Sequence, residues 1–240
     1  MIRFVTETGS TNSDLAACLR AGESVPEGEW LVADRQVAGR GRQGRAWFDG
    51  SGNFMGSTVV HCAPRDPSPA TLALVAGVAA YEAVSAILAD PSRLRLKWPN
   101  DLMLGEAKLA GILLEREGNA IVVGMGINLV AAPDLPDRRT VALTALGPAP
   151  DRDLFASALA TAFDRELERW RTYGLEPLVR RWESVAHPQG TPLTVRPPGE
   201  EQIAGSFAGL TGEGALSLRL ADGSTRAIHA GDVMLVNEES

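Results

Sequence analysis

The spacing of apolar positions along the 240-residue chain changes repeatedly, and each change predicts an element. Residues 2–7 alternate weakly, as a strand does. Leu15, Ala16 and Leu19 then recur at helical spacing. Ahead of them Ser10-Thr11-Asn12-Ser13 offers several N-cap side chains, and Gly22 is placed to end the helix. Strands are predicted at 29–35 and 53–62, with a Gly/Arg loop between them. Ser68-Pro69 opens a long apolar helix that runs to about Ala89. A strand at 93–98 ends at Trp98-Pro99, and two apolar runs at 108–115 and 120–130 read as a β-hairpin. After the Pro-rich stretch 131–151, an amphipathic helix covers 152–171. Leu154, Leu159, Phe163, Leu167 and Trp170 mark its inner face. A shorter helix covers about 175–185.

Beyond His187-Pro188-Gln189-Gly190 the period shortens to strands punctuated by glycine, at 192–196, 202–209, 214–220, 225–229 and 232–236. Five such strands in so short a segment predict a small SH3-like β-barrel. The pattern gives an α/β (α+β) chain of two domains, 1–188 and 189–240.

Composition narrows the function classes. Hydrophobic residues make up 45%, enough for a packed core, and the net charge of −7 argues against a general nucleic-acid binder. The two cysteines, Cys18 and Cys62, form neither a disulfide framework nor a zinc spacing. The N-terminus lacks a signal peptide's apolar core, and the most apolar stretch, 69–89, is interrupted by Glu82, so it reads as a buried helix and not a membrane span. A cytoplasmic protein is expected.

Against this acidic background, residues 39–47 interleave three glycines with three arginines and close on Trp47. Glycine lets backbone approach a ligand, and arginine presents a planar cationic fork to carboxylate or phosphate. An anionic small-molecule substrate follows. Gly39-x-Gly41-x-x-Gly44 also fits the dinucleotide fingerprint literally, but loop and not helix follows the glycines, so phosphate could not sit on a helix N-terminus. No Walker A motif occurs. Lysine is found only at 97 and 108 among 23 basic residues, inside the segment other features mark as the site. Lys97-Trp98-Pro99-Asn100-Asp101-Leu102 ends a strand in a turn, where an amide beside a carboxylate suits a nucleotide and its Mg²⁺. Lys108 opens an apolar strand whose small Ala110 and Gly111 leave room for a ligand. Asn128, inside an apolar run, needs a hydrogen-bond partner, either a substrate or a loop carbonyl. His61, His187 and His229 are scattered and support no nucleophilic hydrolase.

Five segments in this order resemble biotin protein ligases: Ser10-Thr11-Asn12; Gln36 with 39-GRGRQGRAW-47; 97-KWPNDL-102; 108-KLAGILLE-115; and 124-GMGINL-129. The resemblance implies a catalytic domain with a mixed sheet, similar to class II aminoacyl-tRNA synthetase cores, followed by the SH3-like domain. It implies that biotin and ATP form biotinyl-5′-AMP and pyrophosphate, and that a lysine of a biotin carboxyl carrier protein then takes the biotinyl group. In the roles it implies, Lys108, Arg40 and Arg42 are catalytic cations. Ser10, Thr11, Asn12, Gln36, Gly39, Arg40, Gly41, Arg42, Lys108 and Gly111 bind biotin. Arg42, Trp47, Asn100, Lys108 and Asn128 bind ATP, and Asp101 helps hold Mg²⁺. The loop 39–46 is expected to be mobile until ligand orders it.

Some members of that family carry an N-terminal DNA-binding domain. The Ser-Thr-Asn motif starts at residue 10 here, so no DNA binding is expected. An exposed edge strand of the catalytic sheet would offer a homodimer contact. Lipoate–protein ligases share the fold, but their Arg-Arg-x-Ser-Gly-Gly-Gly run is missing. A non-catalytic adaptor module would have no use for Lys108 beside the Gly/Arg loop.

Overall fold

The computed structural model describes residues 1–236. Its centre is a seven-stranded mixed sheet in the order β1-β2-β3-β7-β6-β5-β4. The strands are β1 (Ile2–Thr8), β2 (Trp30–Gln36), β3 (Phe54–His61), β4 (Leu94–Lys97), β5 (Asp101–Leu104), β6 (Ala107–Glu117) and β7 (Ala120–Ile127). Only β1 and β2 run parallel; the other neighbours are antiparallel. The 108–115/120–130 hairpin is therefore present, as β6 and β7.

Helices cover both faces, which is why β7 is buried at every position instead of alternating. On one face α2 (Leu72–Ser85), α3 (Arg152–Tyr173) and α4 (Leu175–Ser184) pack on Val32, Val60, Ile121, Val123, Met125 and Ile127. On the other lies α1 (Thr11–Arg20), whose Leu15 and Ala16 cover Leu31, Val59 and Val122. The one-residue offset between these two sets is the period-two alternation of a strand.

Local chemistry sets the helix ends. The Ser10 side chain accepts from Ser13 N at the start of α1, and Gly22 takes φ +76° just past its end. Asp151 caps α3 through Asp153 N and Leu154 N. The apolar run from 69 divides: residues 69–71 form a 3₁₀ turn, Ser68 makes no side-chain cap, and α2 ends at Ser85, earlier than expected. Leu154 is 73% exposed and does not belong to the inner face of α3. Phe155, which packs edge-on against Phe54, takes that place.

The segment read as a turn at 97–102 is more than a turn. The Trp98–Pro99 peptide is cis, and a fresh strand, β5, starts directly at Asp101. Among the described residues no helix is long and apolar enough to cross a membrane.

The C-terminal strands β8 (Pro192–Arg196), β9 (Ile203–Leu210), β10 (Leu216–Arg219), β11 (Thr225–Ile228) and β12 (Asp232–Leu235) form one antiparallel sheet, ordered β11-β10-β9-β8-β12. All five predicted strands exist. The barrel, however, is not closed: among the described residues β11 and β12 share no ladder, and each remains an edge. Val195, Phe207, Leu216 and Leu218 belong to the same continuous core as the central sheet. Trp182 of α4 stacks obliquely on Phe207.

Candidate active site

The cleft lies on the α1 face of the central sheet, just beyond the N-terminus of that helix, and has a volume of about 1110 Å³. Its floor is a consequence of the strand sequences. On the α1 face of β7, Val122 sits beneath the helix, and Gly124, Gly126 and Asn128 follow at alternate positions. A Cβ on Gly124 would overlap Asn12 Oδ1, and one on Gly126 would overlap the Trp47 ring. On the neighbouring strand a Cβ on Gly111 would come within 2.9 Å of Trp47 and 3.1 Å of Lys108 Nζ. Glycine is therefore required at each position for Asn12, Trp47 and Lys108 to lie on the sheet.

One end of the cleft is polar. Gln36 Oε1 accepts from Thr11 N at 2.7 Å, and Ser10, Thr11, Asn12 and Gln36 are all buried. The middle is cationic. Asp101 on β5 lies 3.1 Å from Lys97 Nζ and 2.5 Å from Lys108 Nζ. Burial alone would favour the neutral acid, but the two ammonium groups overcome it and hold the Asp101 carboxyl below its ordinary value. The trio thus carries a net positive charge in a shielded place, with Lys108 Nζ also 5.7 Å from the centroid of the Trp47 ring.

The Gly/Arg loop closes one side. Arg40 donates to Ser13 Oγ at 2.7 Å on the rim. Arg42 donates to Asn100 Oδ1 at 3.2 Å and to Gly231 O at 3.1 Å, and Arg45 pairs with Asp232. The loop is therefore stitched to the turn before β12. Lys97 Nζ donates to Val233 O on the same strand, and Trp98 Nε1 to Gly214 O. The C-terminal sheet is a wall of the cleft.

Of the residues singled out from sequence, Ser10, Thr11, Asn12, Gln36, Arg40, Gly41, Arg42, Trp47, Asn100, Asp101, Lys108, Gly111 and Asn128 converge on this one cleft. Gly39 does not line it; its carbonyl accepts from Trp47 N and shapes the loop. Asn128 satisfies the loop-carbonyl alternative, since Nδ2 donates to Val141 O at 3.2 Å. Its Oδ1 is buried without a partner among the described residues, which leaves one acceptor for a ligand. Asp101 does not fit the metal role, because both its oxygens face ammonium groups. No cluster of three acidic, histidine or cysteine side chains that could hold a metal occurs among the described residues.

Sequence reading missed two groups. The Pro-rich stretch was given no role, yet Leu135, Arg138, Arg139 and Thr140 line the cleft. Lys108 N donates to Arg139 O, and Val141 N to Lys108 O, so this segment lies along the start of β6. The Arg138-Arg139 pair was the available signal. Ser57 also lines the cleft, and nothing in the local sequence distinguished it from other strand serines.

Comparison with known proteins agrees with this geometry. The model of the biotin/lipoate A/B protein ligase family matches residues 9–130, and that of the biotin protein ligase C terminal domain matches 192–236. The chain is 36% identical over 227 residues to a biotin–[acetyl-CoA-carboxylase] ligase from Paracoccus denitrificans, covering 90% of this chain and 93% of that one. It is 34% identical over 234 residues to the ligase of the same description from Mycobacterium tuberculosis, covering 96% and 87%. Among solved structures, the Aquifex aeolicus biotin protein ligase in complex with biotin and ATP superposes with a TM-score of 0.85 at 26% identity, covering 98% of this chain and 99% of that one. With the motifs, the mixed sheet and the C-terminal sheet all in agreement, the chain belongs to the biotin/lipoate A/B protein ligase family.

Proposed function

We infer that the protein is an ATP-dependent biotin–protein ligase that makes biotinyl-5′-AMP and transfers the biotinyl group to a lysine of a biotin carboxyl carrier protein, as in acetyl-CoA carboxylase. The observation that carries this reading is the half-buried Lys97–Asp101–Lys108 trio, in the same cleft as Thr11, Gln36 and the Arg138–Thr140 segment. A carboxylate and a nucleotide α-phosphate repel one another, and fixed cations between them offset that repulsion and the charge of the transition state.

In the first step a biotin carboxylate oxygen bonds to the α-phosphorus of ATP, and the bond to the β-phosphate oxygen breaks to release pyrophosphate. Lys108 and Arg42 supply positive charge at that junction. Asp101 keeps Lys108 extended toward the cleft, and Arg40 closes the rim. Thr11 and Gln36, with Ser10 beside them, meet the urea ring, while Gly111 lets the fused ring and acyl chain lie on the strand. Trp47, Asn100 and Asn128 serve the nucleotide side. In the second step the carrier's lysine amine attacks the acyl carbon, the amide forms, and AMP leaves while the amine loses its proton. Magnesium bound together with ATP would lower the charge on the phosphates, while Asp101 is held by Lys97 and Lys108.

The domains run 1–188 and 189–240 in this reading, and the second supplies a wall of the site. Purified protein with biotin, ATP and Mg²⁺ should catalyse biotin-dependent exchange of labelled pyrophosphate into ATP. Lipoate and octanoate should support none. Exchange with lipoate and not biotin would move the chain to the other branch of its family.

A further inference from the structure

Behind the polar end of the cleft runs a chain of side chains that ends on a carboxylate no step above requires. Thr11 Oγ1 lies 2.6 Å from Ser57 Oγ, Ser57 Oγ donates to Asn12 Oδ1 at 2.6 Å, and Asn12 Nδ2 donates to Glu115 Oε2 at 2.7 Å. Thr11, Asn12 and Ser57 are each at most 4% exposed, and the chain passes from α1 to β3, back to α1 and on to β6.

Its direction follows from counting protons. An ionised carboxylate only accepts. Asn12 must therefore turn its NH₂ to Glu115, since the reversed amide would set oxygen against oxygen. That leaves Asn12 Oδ1 toward Ser57, which has to donate its single hydroxyl proton there. Ser57 has none left for Thr11, so Thr11 donates to Ser57. Gln36 Oε1, 3.1 Å from the same threonine hydroxyl, is instead satisfied by Thr11 N. Facing the cleft, Thr11 Oγ1 then keeps free lone pairs. Gln36 keeps an amide NH₂ that makes no hydrogen bond among the described residues. One acceptor and one donor side by side match an N–H and the adjoining carbonyl of a cyclic urea.

We propose that Glu115 is a positioning residue that fixes, through Asn12 and Ser57, the donor–acceptor polarity of the head pocket and so its preference for a neutral cyclic urea. The proposal rests on the biotin-ligase reading and adds to it the origin of the head group's selectivity. Glu115 touches no substrate. It acts by removing every other arrangement of the protons in the chain.

The test is a charge relocation. Glu115→Gln removes the acceptor-only terminus and lets the chain reverse. Asn12→Asp sets two carboxylates face to face. The double variant exchanges the two groups: the amide now at position 115 donates to the carboxylate now at position 12. The other oxygen of that carboxylate still accepts from Ser57, so the original direction returns at unchanged net charge.

In pyrophosphate exchange, E115Q should raise the KM for biotin about tenfold and N12D more, each leaving the KM for ATP unmoved. The double variant should return to within about threefold of wild type, because the donor–acceptor pair facing the ligand is the same. The ratio of kcat/KM for biotin over a cyclic carbamate analogue, whose ring oxygen puts an acceptor where biotin presents an N–H to Thr11, should fall about tenfold in E115Q. A double variant no better than N12D, or an unchanged ratio in E115Q, overturns the proposal. The ratio decides alone should N12D not fold. Failure of the wild type to exchange with biotin would instead sink the ligase reading itself.

Discussion

Lys97 and Lys108 are the chain's only lysines, and the fold brings both to one carboxylate. Arginine could not replace them easily: a compact ammonium fits against a single oxygen, where a guanidinium would need room for its fork. Lys108→Ala should lower pyrophosphate exchange about 10²–10³-fold, the cost of losing one group aimed at developing charge. The folded state should survive, because Lys97 still pairs with Asp101. Turnover close to normal would remove Lys108 from the mechanism. Arg42 has a different task. It bridges Asn100 and the Gly231 carbonyl, so Arg42→Ala should hasten escape of the adenylate, read as free biotinyl-AMP in a filter-binding chase. The residue types at these positions were readable from sequence. Their pairing was not: the sequence suggests Asp101 as a metal ligand, whereas the fold brings the Lys97 and Lys108 side chains onto its two oxygens.

At the scale of elements, β7 shows how one strand serves two ends. Its valines and isoleucines bury the helices, and its glycines give the sheet a bare floor where Asn12 and Trp47 lie. Gly126→Ala should therefore displace Trp47 and raise the KM for ATP about tenfold or more, with the unfolding midpoint moving little, since the displaced ring can swing into the cleft. A large loss of stability with an unchanged KM would contradict this. On the opposite face, α2, α3 and α4 are tied by Glu82 and Glu166 to Arg165, Arg169 and Arg181. Glu166 is 1% exposed and accepts from both Arg169 and Arg181. Glu166→Gln should cost about 1.5–3 kcal/mol in urea unfolding, the range for hydrogen bonds to charged groups.

The elements themselves were mostly legible, because period-two and helical spacing survive wherever one face is buried. Leu154 misled because a leucine beside the cap fits the helical period, yet the α3 axis turns Phe155 inward. β5 was hidden by its brevity and by the proline turn before it.

For the whole molecule, the decisive contact is between the two sheets. Arg42, Arg45, Lys97 and Trp98 all reach the C-terminal sheet or its turns, so the cleft is complete only when both parts are docked. His187 sits in that joint. Burial, aided by Lys97 and Arg95, lowers its pKa from 6.5 to about 4. The unfolded chain binds this proton first as pH falls. His187 therefore contributes stability that is fully present above pH 6.5 and lost progressively down to about 4. Replacing it with Leu should flatten the stability profile across that window, measured by urea unfolding at pH 7, 5.5 and 4.5. Asp101, held below its ordinary value, loses its contribution in the same direction at lower pH. A His187→Leu profile as steep as wild type would place the acid sensitivity elsewhere.

Sequence alone determined most of the helices and strands, the ordered motifs and the family, because these depend on periodicity and on residues whose chemistry is local: caps, glycines, and the Gly/Arg run. Tertiary structure alone decided which charges face one another, that the Pro-rich stretch and the C-terminal sheet wall the cleft, and that Glu115 terminates the hydrogen-bond chain behind Thr11. Such arrangements depend on how the strands pair and on contacts between different segments, as distant as Asn12–Glu115 and Lys97–Val233, for which local sequence carries no signal.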